Sequence, residues 1–140
     1  MKFYWILFIF LLSACSQVDE KHGDNSNLEP FLEWRVGNFH YSDGAFKYLI
    51  HRTPAYQEEF LLQDGLLVRF SINWENDSVY VMQFDSILSN PNQTELAFDI
   101  NQIQKTCTMT EVTSHSYVER SVNNLNDIID YTQIIRNQRD

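Results

Sequence analysis

Apolar and polar residues alternate most regularly between Leu66 and Trp74. Every second position of this segment is apolar, namely Leu66, Val68, Phe70, Ile72 and Trp74. Successive side chains of a β-strand point to opposite faces, so this alternation is typical of a strand that buries one face. We therefore predict a strand here, with its apolar face in the core.

Seven further segments carry short runs of aromatic and β-branched residues between turn-forming residues, a rhythm typical of antiparallel β structure. We predict strands over residues 46–52, 56–62, 78–85, 95–100, 106–113, 117–122 and 128–136. Asn126 or Asp127 could instead cap a helix in the last segment. Its density of β-branched and aromatic residues favours a terminal strand.

Eight short strands without a long helix predict an all-β fold. An antiparallel meander could close into a small lipocalin-like barrel or stack as a two-sheet sandwich, since both arrangements hide apolar faces and strand edges. The chain has 140 residues, of which 44% are hydrophobic, enough for one domain with its own core. We assign this single β-rich domain to residues 28–140.

The beginning of the chain has a different pattern. After Lys2, residues 3–12 form an unbroken apolar run, which small residues and Cys15 follow. This order is typical of a secretory signal peptide. A helix that spans a bilayer needs roughly twenty apolar residues, so we expect cleavage rather than a permanent transmembrane helix.

The residues Leu12-Ser13-Ala14-Cys15 resemble the lipobox of bacterial lipoproteins. The resemblance implies that residues 1–14 are a signal peptide and that a peptidase cuts directly before Cys15. It also implies that the Cys15 sulfur carries the lipid, so that the partner of this cysteine is a lipid bilayer. An anchor of two or three acyl chains is sufficient for stable attachment.

Residues 15–27 comprise this cysteine and a predicted flexible tether. Between Ser16 and Asn27 only one residue is clearly apolar, too little to offset the entropy of ordering the segment. His22 lies in the tether, and we interpret it as solvated rather than as a metal ligand.

Two features after the cysteine bear on localisation in the cell envelope. By resemblance to the sorting rules of bacteria with two membranes, Ser16 in place of aspartate implies anchoring in the outer membrane, facing the periplasm. The pair Asp19-Glu20 resembles the acidic surface-export signal of Bacteroidetes-type lipoproteins, although it comes late and is only a pair. Display on the cell surface therefore stays open.

The charge and the cysteines exclude some functions. Lys and Arg number 10 against 19 Asp and Glu, which gives a net charge of −9. This field repels phosphate backbones, so we expect no nucleic-acid partner. Lipidation would consume one of the two cysteines, which excludes a disulfide between Cys15 and Cys107. We expect Cys107 to be a buried structural residue rather than a nucleophile.

The first half of the mature domain resembles a group of small uncharacterised Bacteroidetes-type lipoproteins. The segment Gly37-Asn38-Phe39-His40-Tyr41 is similar to their "G-x-F-x-Y" opening, and residues 51–53 and 57–59 continue the resemblance. Residues 72–80 are similar to the group's "W-x-[ND]-[DN]-[CS]-x-Y" hairpin, with Ser78 where many relatives have cysteine. The match does not extend from Thr106 to the end of the chain.

No motif points to chemistry. His40, His51 and His115 lack the close spacing of metal ligands. Glu58 and Glu59 are neighbours on a predicted strand and point to opposite faces, so they should not converge on one substrate bond. We therefore name no catalytic, cofactor-binding or metal-binding residue, and expect no cofactor.

A set of aromatic residues either fills the core or lines a ligand cavity, as in barrels with a partly open interior. Its members are Trp34, Phe39, Tyr41, Phe46, Tyr48, Phe70, Trp74, Tyr80 and Phe84. We expect a membrane-anchored envelope lipoprotein whose domain is a binding or interaction module for a protein partner or a small apolar ligand. The alternative is a small envelope hydrolase whose site is not visible in the linear sequence.

Overall fold

The computed structural model of the chain describes residues 29–96 and 100–137. The predicted signal peptide, the lipidation site Cys15 and the predicted tether lie outside the described residues. None of the helices in the described ranges is long and apolar enough to cross a membrane.

The described chain consists of a short helix followed by eight strands. Helix α1 spans Glu29–Leu32, and a 3-10 helix spans Ile100–Gln102. The strands are β1 Gly37–Asp43, β2 Phe46–Arg52, β3 Tyr56–Leu61, β4 Leu66–Trp74, β5 Val79–Ser89, β6 Gln104–Thr110, β7 Ser116–Asn123 and β8 Ile129–Arg136.

The strands form one closed antiparallel barrel in which each strand pairs with the next along the chain. The barrel closes where β1 meets β8, with Phe39 opposite Arg136 and His40 opposite Ile135. This topology confirms the all-β meander and selects the small lipocalin-like barrel over the two-sheet sandwich. The last element, β8, is a strand, as its β-branched residues predict.

Two predictions about strands are wrong, although the total of eight is correct. The first strand, β1, was not predicted because Phe39 and Tyr41 are its only large apolar residues. Of the strand predicted over residues 95–100, the structure describes Glu95, Leu96 and Ile100, and none of the three lies in a strand: Glu95 and Leu96 have no regular structure, and Ile100 begins the 3-10 helix. The turn before it is stabilised by Asn90, whose side chain accepts a hydrogen bond from the Thr94 amide and donates one to the Thr94 carbonyl.

The two ends of the barrel differ. Helix α1 and Trp34 lie at the end where β1 begins and β8 ends, and we call this the closed end. The opposite end, which we call the mouth, carries the loops that follow β1, β3, β5 and β7. In the β3–β4 loop Gly65 has a φ of +69°, and a Cβ there would lie 2.9 Å from the Pro91 ring of the next mouth loop.

Candidate functional site

The interior of the barrel contains two apolar clusters. The larger cluster fills the closed end and is formed by Trp34, Phe39, Ile50, Ile72, Tyr80, Met82, Cys107, Met109, Tyr117 and Ile134. The smaller cluster lies towards the mouth, where Leu61, Leu66 and Val68 pack with partly buried neighbours. The closed end is therefore a filled core, whereas the mouth retains space that could hold a ligand.

A buried arginine is the centre of the closed end. Arg52 is fully buried, and its Nε donates a hydrogen bond to Oε1 of Gln57 at 2.6 Å. Its Nη1 donates to the backbone carbonyl of Trp34 at 3.1 Å. Its Nη2 donates to the hydroxyls of Tyr80 at 2.9 Å and Tyr117 at 3.0 Å. These bonds satisfy a charge that would otherwise be costly to bury.

The counter-charge of this arginine is Glu119 on β7. Its Oε2 lies 3.9 Å from Nη2 of Arg52 and accepts hydrogen bonds from the hydroxyls of Tyr80 and Tyr117. Burial opposes the charged guanidinium, yet Tyr80, Tyr117 and Glu119 outweigh burial and raise the pKa of Arg52. Burial also raises the pKa of Tyr80 well above its ordinary value. The network is thus internally neutralised.

An apolar chamber of about 360 Å³ opens at the mouth between β2, β3, β4 and the β5–β6 loop. Its walls are mainly apolar and comprise Phe46, Tyr48, Leu61, Leu66, Val68, Phe70, Leu96 and Ile100. A few polar side chains, Glu59, Asp64, Thr94 and Glu95, complete its lining. The volume falls at the lower end of the range of small-molecule pockets, about 300–1,000 Å³.

Glu59 is the acidic group that β3 directs into the barrel, between the buried residues Gln57 and Leu61. Its Oε1 accepts a hydrogen bond from Nε2 of Gln57 at 2.7 Å, and its Oε2 accepts one from the Tyr41 hydroxyl at 3.1 Å. Both donors are neutral, and Glu59 takes part in none of the ion pairs of the described ranges. The carboxylate therefore lines the apolar chamber without an ion pair among the described residues, and the cation that acts on it electrostatically is Lys105 of the polar chamber.

A second chamber of about 300 Å³ lies beside the first and is polar. Tyr48 lines the apolar chamber and Tyr41 lines the polar one. The two rings stack with centroids 4.5 Å apart and planes 4° apart, so the pair separates the chambers. The polar chamber is also lined by Asp43, Lys105 and Asp130.

Lys105 is partly buried in the wall of the polar chamber. Burial disfavours its ammonium group, but the carboxylates of Glu119 and Glu59 and further neighbours outweigh burial and raise its pKa. The side chain therefore stays charged at neutral pH. Within the part of the chain that the structure describes, it takes part in no ion pair.

Exposed apolar side chains surround the mouth. They occur at the loops after β1, β3, β5 and β7 or on the adjoining strand ends, and comprise Phe46, Leu62, Ile87, Leu88, Leu125, Ile128, Ile129 and Tyr131. We call this set the rim. An apolar rim around a partly open interior is unusual for a surface without a partner, because exposed apolar patches commonly mark interaction sites.

Each of the three histidines bonds to a different polar side chain. Nδ1 of His40 bonds with Oδ1 of Asn137 at 2.6 Å, and Nδ1 of His51 bonds with Oδ1 of Asn38 at 2.9 Å. His115 is exposed in the β6–β7 loop. The described residues contain no group of three His, Cys, Asp or Glu side chains that could hold a metal ion.

The structure also bears on the predicted environments of Cys107, Glu58 and Glu59. Cys107 is fully buried and free, and burial raises the pKa of its thiol well above the ordinary value. This confirms a buried structural cysteine and opposes an activated nucleophile. Glu58 points away from Glu59, as predicted, and forms an ion pair of 2.6 Å with Arg69.

Some members of the predicted aromatic set fill the core, and others line a cavity. Trp34, Phe39, Tyr80 and partly buried Trp74 fill the closed end, whereas the chamber is lined by Phe46, Tyr48 and Phe70. Sequence analysis did not identify Arg52, Glu119 or Lys105. Arg52 could have been identified from its position in the strand, because every second residue of β2 faces inward and Arg52 shares that face with Tyr48 and Ile50.

Comparison of the chain with protein-family models, with curated proteins and with solved structures finds no match.

Proposed function

We propose that the barrel is the binding module of a membrane-anchored envelope lipoprotein and that it takes up a small apolar ligand in the apolar chamber. The observation that supports this most is the chamber itself, about 360 Å³ of space with mainly apolar walls. Water in such a space has few polar partners, so an apolar ligand would replace it favourably.

The anchoring part of the proposal rests on Leu12-Ser13-Ala14-Cys15. The described chain begins with α1 at the closed end, opposite the mouth. An extended segment of the thirteen residues between Cys15 and the start of α1 would span at most about 47 Å. A lipid on Cys15 would thus connect to the closed end and leave the mouth accessible.

Lipid anchoring is tested by comparing the full-length protein with Cys15→Ser in a bacterial host. We expect the natural chain to lose its first fourteen residues, to gain the mass of a lipid and to remain with membranes, while the variant does none of these. Equal mass and equal partitioning of the two proteins would contradict the lipobox interpretation and leave the binding proposal standing.

Ligand uptake is tested with decanol, a neutral amphiphile, by titration calorimetry below its solubility limit. Leu66 lines the chamber, whereas the adjacent Leu67 lies on the outer face of β4. We expect Leu66→Trp, which fills the chamber, to abolish binding, and Leu67→Trp to bind as the natural protein does. Absence of decanol binding, or equal loss in both variants, would contradict uptake in the chamber.

The rim favours a second candidate, a protein partner that docks on the mouth. Its exposed apolar side chains come from four separate loop regions and would be covered together by one partner. The two candidates predict different effects. Leu66→Trp should abolish decanol binding, whereas a rim variant such as Ile128→Ser should weaken only the binding of a protein partner.

A further inference from the structure

We infer that the apolar chamber selects cationic amphiphiles, small molecules with a hydrocarbon body and an amine or ammonium group, and that Glu59 binds the positive group. This inference rests on the proposed function and adds the charge class of the ligand. Nothing in the sequence pattern pointed to it, because it depends on which charged side chains the closed barrel brings to one cavity.

The first argument is the sign of the charges that line the chamber. Among the described residues that line it, the ionisable groups other than Tyr48 are Glu59, Asp64 and Glu95, and none is lysine, arginine or histidine. Charges of one sign with apolar walls concentrate the field inside a cleft. An anionic ligand would be repelled there, and a cation would be attracted.

The second argument is the bonding of Glu59. A carboxylate has about four acceptor positions, and the side chains of Gln57 and Tyr41 occupy one on each oxygen. Acceptor capacity therefore remains on a carboxylate that lines the chamber. An ammonium group that donates to Glu59 would gain a charge-assisted hydrogen bond, which is stronger than a bond between neutral groups.

The third argument is the ring of Tyr48, which lines the same chamber. Aromatic faces attract cations within about 6 Å of the ring centre. Burial and the carboxylates of Asp43, Glu59 and Asp64 raise the pKa of the Tyr48 hydroxyl, with Lys105 opposing them. The ring of Tyr48 and the carboxylate of Glu59 line the same chamber, and each attracts a cation.

An anionic ligand would have to use Lys105, which lines the polar chamber instead. Asp43 and Asp130 line that chamber too, so an anion bound to Lys105 would also face two carboxylates. The lining of the polar chamber is otherwise mainly polar, with the rings of Tyr41 and Tyr131, and gives little apolar surface for a hydrocarbon chain. A fatty-acid site requires a cation for the carboxylate and an apolar wall for the chain, and here these two features are in different chambers.

The test compares three probes of equal chain length, decylamine in its protonated form, decanol and decanoate, each kept below micelle formation at neutral pH. The proteins are the natural chain, Glu59→Gln and, as a matched control, Glu58→Gln, which removes the same charge from the outer face of the same strand. Dissociation constants are measured by calorimetry. For each protein, the dissociation constant of decanol is divided by that of decylammonium. Partial unfolding of a variant lowers both affinities alike and leaves this ratio unchanged.

We expect decylammonium to bind the natural protein about tenfold or more tightly than decanol, the effect of one hydrogen bond to a charged group. The ratio should fall most of the way to one in Glu59→Gln and should be unchanged in Glu58→Gln. Equal binding of the three probes, tighter binding of decanoate, or an equal change in both variants would overturn the inference while leaving ligand uptake intact. Failure of all three probes to bind would contradict the proposed function itself.

Discussion

Arg136 lies over the indole ring of Trp34, with its guanidinium carbon 4.4 Å from the ring centroid. Its Nη2 also donates a hydrogen bond to the backbone carbonyl of Glu33 at 3.1 Å. The last residue of β8 thereby fixes the segment between α1 and β1 across the closed end. A cation over an aromatic face contributes about 0.5–2 kcal/mol, depending on how far it is desolvated.

This contact predicts that Arg136→Ala lowers the free energy of unfolding by about 1–3 kcal/mol, since a cation–π contact and a charged hydrogen bond are lost together. Arg136→Lys should restore only part of the loss, because an ammonium group cannot cover the ring and bond in the same way. Urea unfolding followed by circular dichroism measures the difference. Arg120, on the outer face of β7, is the control, and an equal effect of Arg120→Ala would contradict the assignment.

The buried pair Arg52 and Glu119 predicts strong coupling between two substitutions. Arg52→Met leaves the Glu119 carboxylate uncompensated and should cost about 3–5 kcal/mol. The double variant Arg52→Met with Glu119→Gln should be less unstable than the sum of the two single variants, because neither charge is then left alone.

The matched control for this double-variant comparison is the partly exposed pair Glu58 and Arg69, whose side chains are 19% and 36% exposed. The same substitutions there should change the free energy of unfolding by no more than about 1 kcal/mol. Additive effects at the buried pair, or equal coupling at both pairs, would contradict the role of the internal network.

The buried hydroxyl and thiol groups predict a loss of stability in alkali. Burial raises the pKa of Tyr80, Tyr117 and Cys107 above the ordinary values of 10.0 for tyrosine and 9.0 for cysteine. The folded protein therefore keeps protons that the unfolded chain loses above about pH 9. Because the unfolded state then binds fewer protons, the free energy of unfolding falls as pH rises, by up to about 1.4 kcal/mol per pH unit for each group.

This alkaline effect is measured by urea unfolding at successive pH values, with tyrosinate absorbance as the probe of ionisation. We expect stability to be independent of these groups below pH 9 and the buried tyrosines to ionise together with unfolding. Tyr117→Phe should make the slope shallower, whereas Tyr131→Phe, at a residue that is 68% exposed, should leave it unchanged. Ionisation of every tyrosine before unfolding would contradict the burial of the network.

Cys107 predicts a thiol that reacts only after unfolding. It is fully buried on β6, and its raised pKa leaves little thiolate at neutral pH. In the Cys15→Ser variant Cys107 is the only cysteine of the chain. A chromogenic disulfide reagent should leave the folded variant unlabelled and label one thiol in urea, and rapid labelling of the folded variant would be inconsistent with burial.

Local patterns predicted most of the fold. The alternation between Leu66 and Trp74 gave the bounds of β4, and the turn residues around Asn76 gave the hairpin with β5. Closure of the barrel could not be predicted, since Phe39 and Arg136 lie at opposite ends of the described chain and only their pairing separates a barrel from a sandwich. Both arrangements satisfy the same alternation of apolar and polar residues.

The site was less accessible to sequence analysis than the fold. The inward phase of Arg52 is visible on β2, but its partner Tyr117 is 65 residues away along the chain. Similarly, the sequence shows that Glu59 points away from Glu58, but it cannot show that space remains beside Glu59. A chamber is the volume that side chains leave empty, and no local pattern specifies that volume.

The most direct test of ligand uptake is a titration of the labelled protein with decanol, followed by the methyl resonances of leucine, isoleucine, valine and methionine. The chamber predicts saturable shifts at Leu66 and Val68, and unchanged resonances at Met109 and Ile134 in the filled closed end. Shifts confined to the outer face, at Leu49 and Leu67, or no saturable shift at any methyl group would contradict a ligand site inside the mouth.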